Sequence, residues 1–220
     1  MLETTIAINF ISDWHVGSGM GNGAIADAIL NRNIHGIPVI PGSALKGALR
    51  EGAWRLAMCD RENLAWLVEY VFGTASYTRE TNRPGIIAVG EGLLPEDLGD
   101  WLTECDEAAR QDFVGDMTIL RQQTQLDSHG IAKDHSLRSI ECGIAGLAFS
   151  ASVILYVARG SEEWFKNWLL AVCACVKSIG ADRARGLGRC VIRPDYAGEI
   201  KMPGKLPEAL TAIRENWESK

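Results

Sequence analysis

No run of about eighteen apolar residues occurs in this 220-residue chain, so no membrane-spanning helix is expected. The opening "MLETTIAINF" has no basic stretch leading into an apolar one, so no secretion signal is expected either. The six cysteines (Cys59, Cys105, Cys142, Cys173, Cys175, Cys190) form no CxxC pair and no Cys/His spacing of a zinc site. They are expected as reduced thiols of a cytoplasmic protein. The four histidines, His15, His35, His129 and His135, are too scattered to supply a metal pair. Internal repeats and low-complexity tracts are lacking as well. What is present is a 47% hydrophobic composition, enough to bury a core. A single domain over 1–220 is expected.

Basic residues are scarce in one place. Between residues 96 and 116 there are eight acids and only Arg110 to oppose them. That segment accounts for more than the whole formal net charge of −6, and leaves the rest of the chain at +1. A polyanionic ligand is therefore not excluded, provided one face is locally basic. The acidic segment itself reads as an insertion with a solvated helix face or loop, and a docking surface for a basic partner is the alternative.

Periodicity sets out the elements. "TTIAINFIS" (Thr4–Ser12) alternates and is β-branched, a strand. "HVGSGMGNG" is a glycine loop. "GSALKGALREGAWRLAMC" is a helix, with Ser43 as its expected N-cap and Ala44, Leu45, Ala48, Leu49, Trp54 and Leu56 as its apolar stripe. A second helix is expected over Glu62–Val71 and a short strand over Ile86–Val89. Residues 117–143 suggest a protruding hairpin, polar at its centre, with Gly130 free to take positive φ in the turn. "LAFSASVILYV" is a strand. "SEEWFKNWLLAVCACVKSIG" is a helix capped by Ser161 and ended by Gly180. "GRCVIRPD" is the last strand, and the tail from Ala197 is amphipathic. Stripped of insertions the order is β-α-β-β-α-β, an α+β fold of the ferredoxin-like (RRM-like) class with helical insertions.

Two glycine motifs fail as nucleotide sites. "GSGMGNG" is not followed by the helix that a dinucleotide turn requires. "GSALKGAL" lacks the Gly-Lys-Ser/Thr order of a phosphate loop. Its helix start still suits a phosphate, because Ser43, Lys46 and Arg50 sit beside free amides. "IGADRARGLGRC" is more pointed. Arg183, Arg185 and Arg189 stand among Gly180, Gly186 and Gly188, where glycines permit close backbone approach and arginines offer forks for phosphates. A capped helix with solvated bases and an ordinary basic turn are the alternatives.

Together these stretches resemble the RAMP superfamily of CRISPR effector proteins. "PGSALKGALR" is similar to that family's Pro-Gly-Ser-Ser-Leu-Lys-Gly-x-x-Arg helix start. "HVGSG" is similar to its His-Ile-Gly-x-Gly, and "VFGT" to its Phe-Gly after the first helical region. "GADRARGLGRC" is similar to its glycine-rich loop before the last strand. "LDSHGIAKDHSLRSIE" resembles the thumb hairpin of the backbone subunit in type III effector complexes. The resemblance spans residues 4 to 193. It departs from the family at "GEGLL", where Asp-Ala is usual, and the acidic 96–116 segment matches no family motif.

The resemblance implies an RNA-guided role. A backbone subunit would hold guide RNA, meet target RNA, further copies of itself and other subunits of the complex, and cut the target. Asp27 in "GAIADAILNRN" takes the place of the family's catalytic aspartate, on a flexible loop, with a divalent cation such as Mg²⁺ as the implied cofactor. Implied RNA contacts are His15, Gly17, Gly19, Ser43, Lys46, Arg50, Arg183, Arg185, Gly186, Gly188 and Arg189. Leu126, Ile131 and Leu137 would wedge between bases on the thumb. A non-catalytic backbone or capping subunit is the second reading. The third is a guide-processing endonuclease using His15 or His35, against which the thumb argues.

Overall fold

The computed structural model describes residues 1–22, 26–74, 83–125, 127–196, 198 and 203–218. Leu126, one of the expected wedge residues, lies outside them. Four strands form an antiparallel sheet: β1 (Leu2–Phe10), β2 (Ile87–Val89), β5 (Ala148–Leu155) and β6 (Cys190–Pro194). Their spatial order is β2-β5-β1-β6. β1 pairs with β5 from Leu2↔Leu155 to Asn9↔Ala148, and with β6 from Ile6↔Pro194 to Phe10↔Cys190. This is the split βαβ arrangement of the ferredoxin-like core, with an α+β layering. A separate two-stranded ribbon, β3 (Thr118–Gln123) and β4 (Arg138–Gly143), is inserted between β2 and β5.

The alternation in the sequence explains which face is buried. Along β1, Leu2, Thr4, Ile6, Ile8 and Phe10 point inward and their neighbours outward. β5 and β6 alternate in the same way. The inward face is covered by α1 (Gly42–Ala57), α2 (Arg61–Phe72) and α5 (Glu162–Cys175). Two short acidic helices, α3 (Glu96–Glu104) and α4 (Glu107–Asp116), occupy the base-poor segment, and α6 (Glu208–Glu218) closes the chain. Among the described residues no helix is long and apolar enough to cross a membrane.

Three helix-end expectations are corrected. α1 starts at Gly42 with Pro41 at the cap position, and no side chain caps it. Pro41 offers its carbonyl to the amides of Ala44 and Leu45, and Ser43 is one residue too late to cap. Trp54 is partly exposed, not part of the buried stripe. It lies about two and a half turns beyond Leu45, on the opposite side of the helix. α5 ends at Cys175, not at Gly180, because Val176 turns extended. Ser161 stands at the cap position of α5, but its hydroxyl donates to the Ala158 carbonyl at 2.6 Å instead of accepting from the helix.

The cysteines are all free thiols. Burial pushes Cys142 and Cys190 up to about 11 and Cys173 up to about 12, so the unreactive neutral form is held well past neutral pH. Cys59 is exposed. Brief alkylation of the native protein at pH 8 is expected to modify Cys59 first and to leave Cys142, Cys173 and Cys190 unmodified. Mass mapping of the labelled peptides checks this, and fast labelling of Cys173 would contradict the packing of α5.

Candidate nucleic-acid interface

The glycine loop after β1 does not hang free. Residues 16–22 and 26–31 run antiparallel to each other. Ser18 N–H donates to Ile29 O at 3.0 Å, Asn31 N–H to Val16 O at 3.0 Å, and Asn22 and Ala26 exchange both backbone bonds. The returning limb then lies along β4. Asp27 N–H donates to Ser139 O at 2.8 Å, and Glu141 N–H donates to Ala28 O at 2.9 Å. The segment around Asp27, expected as a flexible loop, is tied to the β3-β4 ribbon by these backbone bonds and by an isolated parallel bridge, Ala28↔Ile140. The Asp27 side chain is exposed, with Oδ2 accepting the Ser139 amide at 2.7 Å.

Three residues fasten this ribbon to the rest of the fold: Asp13 and Gln123, which no sequence motif announces, and Glu141, which ends the thumb-like run. The Asp13 carboxylate pairs with Arg121 of β3 and accepts the Ala145 amide at 2.9 Å. Glu141 accepts Arg32 at 2.6 Å and the Leu30 amide at 2.9 Å. Gln123 donates to Asp182 at 3.0 Å and accepts from Arg185. Their partners lie up to 132 positions away in sequence, beyond the reach of any local spacing. Trp14 adds apolar support, stacked on Phe10 at 4.8 Å, with Gly143 against its ring. A Cβ on Gly143 would lie 2.2 Å from that ring.

His15 is buried, and its Nδ1 lies 2.6 Å from the Glu141 carbonyl. Its own carbonyl accepts the Ala181 amide at 2.9 Å. It joins the end of β1 to the ribbon and the arginine loop. Gly17 is needed because a Cβ would meet His15 Nε2 at 2.6 Å, whereas Gly19 is open and has φ +78°.

The arginine loop holds a short 3₁₀ turn, Arg183–Arg185, and sends its three arginines to three places. Arg183 pairs with Glu51 on α1. Arg185 bonds Gln123 and faces the ribbon. Arg189 leads into β6 and lines a different groove, beside α5. The glycines divide as well. Gly186 is exposed with nothing near its missing Cβ. Gly188 is buried and donates its amide to Asp13 O at 2.7 Å. The amide of Gly188 is thus engaged within the chain.

Ribbon and loop enclose a cleft of about 560 Å³, lined among others by Gln123, Lys133, His135, Arg138, Asp182 and Arg185. Ser139, which holds Asp27, sits between Arg138 and Ile140, both of which line this cleft. Ile131 and Leu137 stand exposed on the ribbon's outer part. Gly130 has φ +78° in the turn. The α1 start goes elsewhere. Lys46 Nζ donates to the Ile87 carbonyl on β2 at 3.2 Å, and β2 is the sheet edge opposite β6. Ser43 is exposed and Arg50 half-buried. The structure brings Glu51, not Ser43 or Lys46, to the arginine loop.

The cleft sets Lys133, Arg138 and Arg185 against Asp134 and Asp182, a small cationic excess that can meet a polyanion. The solved structures most like it in fold include a chain of "Type III-B Cmr-beta" in the apo state, at TM-score 0.63 and 12% identity over 88% of this chain and 97% of that one. A chain of the same complex bound to cognate target RNA gives TM-score 0.66 at 12% identity, with the same shares covered. A chain of a "Type IV-B CRISPR Complex" gives 0.57 at 19%, over 94% of this chain and 95% of that one. No curated protein sequence matches the chain. The RAMP superfamily profile matches residues 7–191, from β1 through the glycine loop, both core helices and the arginine loop into β6, and the chain belongs to the RAMP superfamily.

Proposed function

We propose that the chain is a backbone subunit of a type III CRISPR effector complex, which binds guide RNA and cuts the paired target RNA at Asp27. What supports this reading is that the ribbon and the arginine loop share one cleft, with Lys133, Arg138 and Arg185 in its lining, and that Asp27 is held on the same ribbon at Ser139. Base pairing supplies sequence specificity, and the protein holds backbone and shape. Arg185, Arg138 and Lys133 offer cations to phosphates. Ile131 and Leu137 supply exposed apolar wedges, the ribbon acting as a thumb. Resemblance in fold to chains of a complex bound to target RNA supports the same reading.

Cleavage requires a 2′-oxygen to attack the adjacent phosphorus while the bond to the 5′-oxygen breaks. Asp27 accepts the 2′-hydroxyl proton on its outward oxygen, and water returns a proton to the departing 5′-oxygen. The products are a 2′,3′-cyclic phosphate and a 5′-hydroxyl. The implied Mg²⁺ finds a sparse donor set. Among the described residues no group of three or more His, Cys, Asp or Glu side chains stands together, and one Asp27 oxygen is already engaged. Asp27 fits a hydrated ion that takes its other ligands from RNA, and does not fit a protein cage. Such an ion would supply charge neutralisation at the phosphate.

One observation favours the second reading, a non-catalytic backbone or capping subunit. The Asp27–Ser139 bond is a structural clip whether or not RNA is cut. The test is the purified complex, assayed for bound RNA and for cutting of a complementary strand. Arg183→Ala with Arg185→Ala is expected to lower retained RNA, and to reduce the salt slope of binding by about one unit per lost phosphate contact. Unchanged RNA content and slope would remove the loop from the guide site. A complex that holds guide and target RNA but never cuts selects the second reading.

A further inference from the structure

The acidic helix pair has a use that the RNA cleft does not account for. On α3 and α4, Leu102 and Val114 are buried and anchor the pair to the fold. Trp101 and Phe113 are turned out, 46% and 37% exposed, with ring centroids 5.3 Å apart. Asp97 and Glu104 flank Trp101 one turn either side, and Asp116 lies one turn beyond Phe113. Among the described residues none of the eight acids in the segment forms an ion pair. Arg110, the one local base, gives its guanidinium to the carbonyls of Leu102, Thr103 and Cys105. An exposed aromatic pair with an uncompensated acidic rim repels RNA and suits a basic, apolar-floored surface.

The same chain carries such a surface at its other end. A groove of about 1010 Å³ runs along the outer edge of β6 against α5. Its lining includes Leu170, Cys173, Val176 and the exposed Val191, and its cations are Lys177, Arg189 and Arg193. Its one acid, Asp195, is engaged by Thr4 and Thr5. β6 is one edge of the sheet, while α3 and α4 follow β2 at the other edge. Among the described residues none of α3 or α4 lines that groove, so the two surfaces are apart within one molecule and open to meeting between two. We infer that the Trp101–Phe113 face of one copy docks on the β6–α5 groove of the next. Such a contact is heterologous and propagates head to tail instead of closing a dimer. It rests on the reading of the chain as a subunit that assembles with its own copies, and names the surfaces that do so.

Sedimentation of the nuclease-treated full chain over rising concentration tests this without RNA. Trp101→Ala is expected to weaken self-association roughly tenfold or more, as for a central interface aromatic. Asp97→Lys with Glu104→Lys is expected to weaken it too, and so is Arg193→Glu with Lys177→Glu. Mixing the two charge-reversed chains should restore pairing between them, because each then offers the complementary sign. Circular dichroism confirms that each variant is folded. A wild-type chain that stays monomeric at about 100 µM, well above weak-interface dissociation constants, overturns the inference. So do variants that associate as wild type, or a mixture that fails to pair. The guide-RNA reading fails separately, through absent RNA in the purified complex.

Discussion

A complex carrying Asp27→Asn is expected to cut target RNA roughly a hundred- to ten-thousand-fold more slowly, the usual effect of losing a general base, while guide and target stay bound. The substitution is chosen for the clip that the structure reveals. The side-chain oxygen of the introduced asparagine can still accept the Ser139 amide, a bond now made by the Asp27 Oδ2 atom, so the segment should remain docked on β4. Asp27→Ala would lose that bond as well, at a cost of about 0.5–1.5 kcal/mol. It would leave chemistry and positioning mixed. Neighbouring acids cannot substitute. Asp13 is held by Arg121 and Ala145, and Glu141 by Arg32 and Leu30. His15 is 5% exposed, so its burial, not its bond to the Glu141 carbonyl, keeps it from serving as a reserve base. Single-turnover cleavage and the chemical ends of the products are the measurements. An asparagine variant that cuts at the wild-type rate would leave Asp27 a clip, and the chain a scaffold.

The core was legible because its signals are local. Alternation in β1, β5 and β6 and helical periodicity in α2 and α5 follow from which residues face the common core, and these yield β-α-β-β-α-β without any long-range knowledge. Helix ends were less so. At α1 the decision lies with Pro41 and with Gly42, whose missing Cβ would meet Val89 O at 2.3 Å. That contact is across the fold and invisible in the string around Ser43.

The candidate site was legible in its parts and not in its joints. Asp27, Arg185 and the ribbon residues Ile131 and Leu137 follow from motif and position. Asp13 and Gln123 do not, because an acid or amide in a polar stretch looks solvated, and Glu141, though it ends the thumb-like run, gives no sign there of what it holds. Only their partners, far away in sequence, show that they fasten the ribbon. The arginine loop misleads in one respect. Its glycines look like room for a ligand, but Gly180 and Gly188 answer to neighbouring carbonyls of the same chain.

Those two kinds of glycine should behave very differently when substituted. Gly186 and Gly188 both have positive φ, +88° and +72°, so an alanine at either is strained by about 1–2 kcal/mol. At Gly186 nothing lies within 4 Å of the added Cβ, and strain is the whole cost. At Gly188 the Cβ would come 2.0 Å from the Ile179 carbonyl oxygen, which belongs to the backbone and cannot rotate away. That carbonyl lies two residues from Ala181, which bonds His15, and the Gly188 amide bonds Asp13. Relief of the clash must therefore move the loop against two fastenings of the ribbon. Gly188→Ala is expected to cost roughly 3 kcal/mol or more, a fall in Tm of about 6–12 °C for a chain of this size. Gly186→Ala should lower Tm by about 2–8 °C, less than Gly188→Ala. Thermal melts of the two variants side by side separate the effects. Equal losses would mean that conformational strain alone is at work, and that the loop is not wedged against Ile179. Because Asp13 also holds Arg121 of β3, the Gly188 variant should retain less RNA than the Gly186 variant even below its melting point.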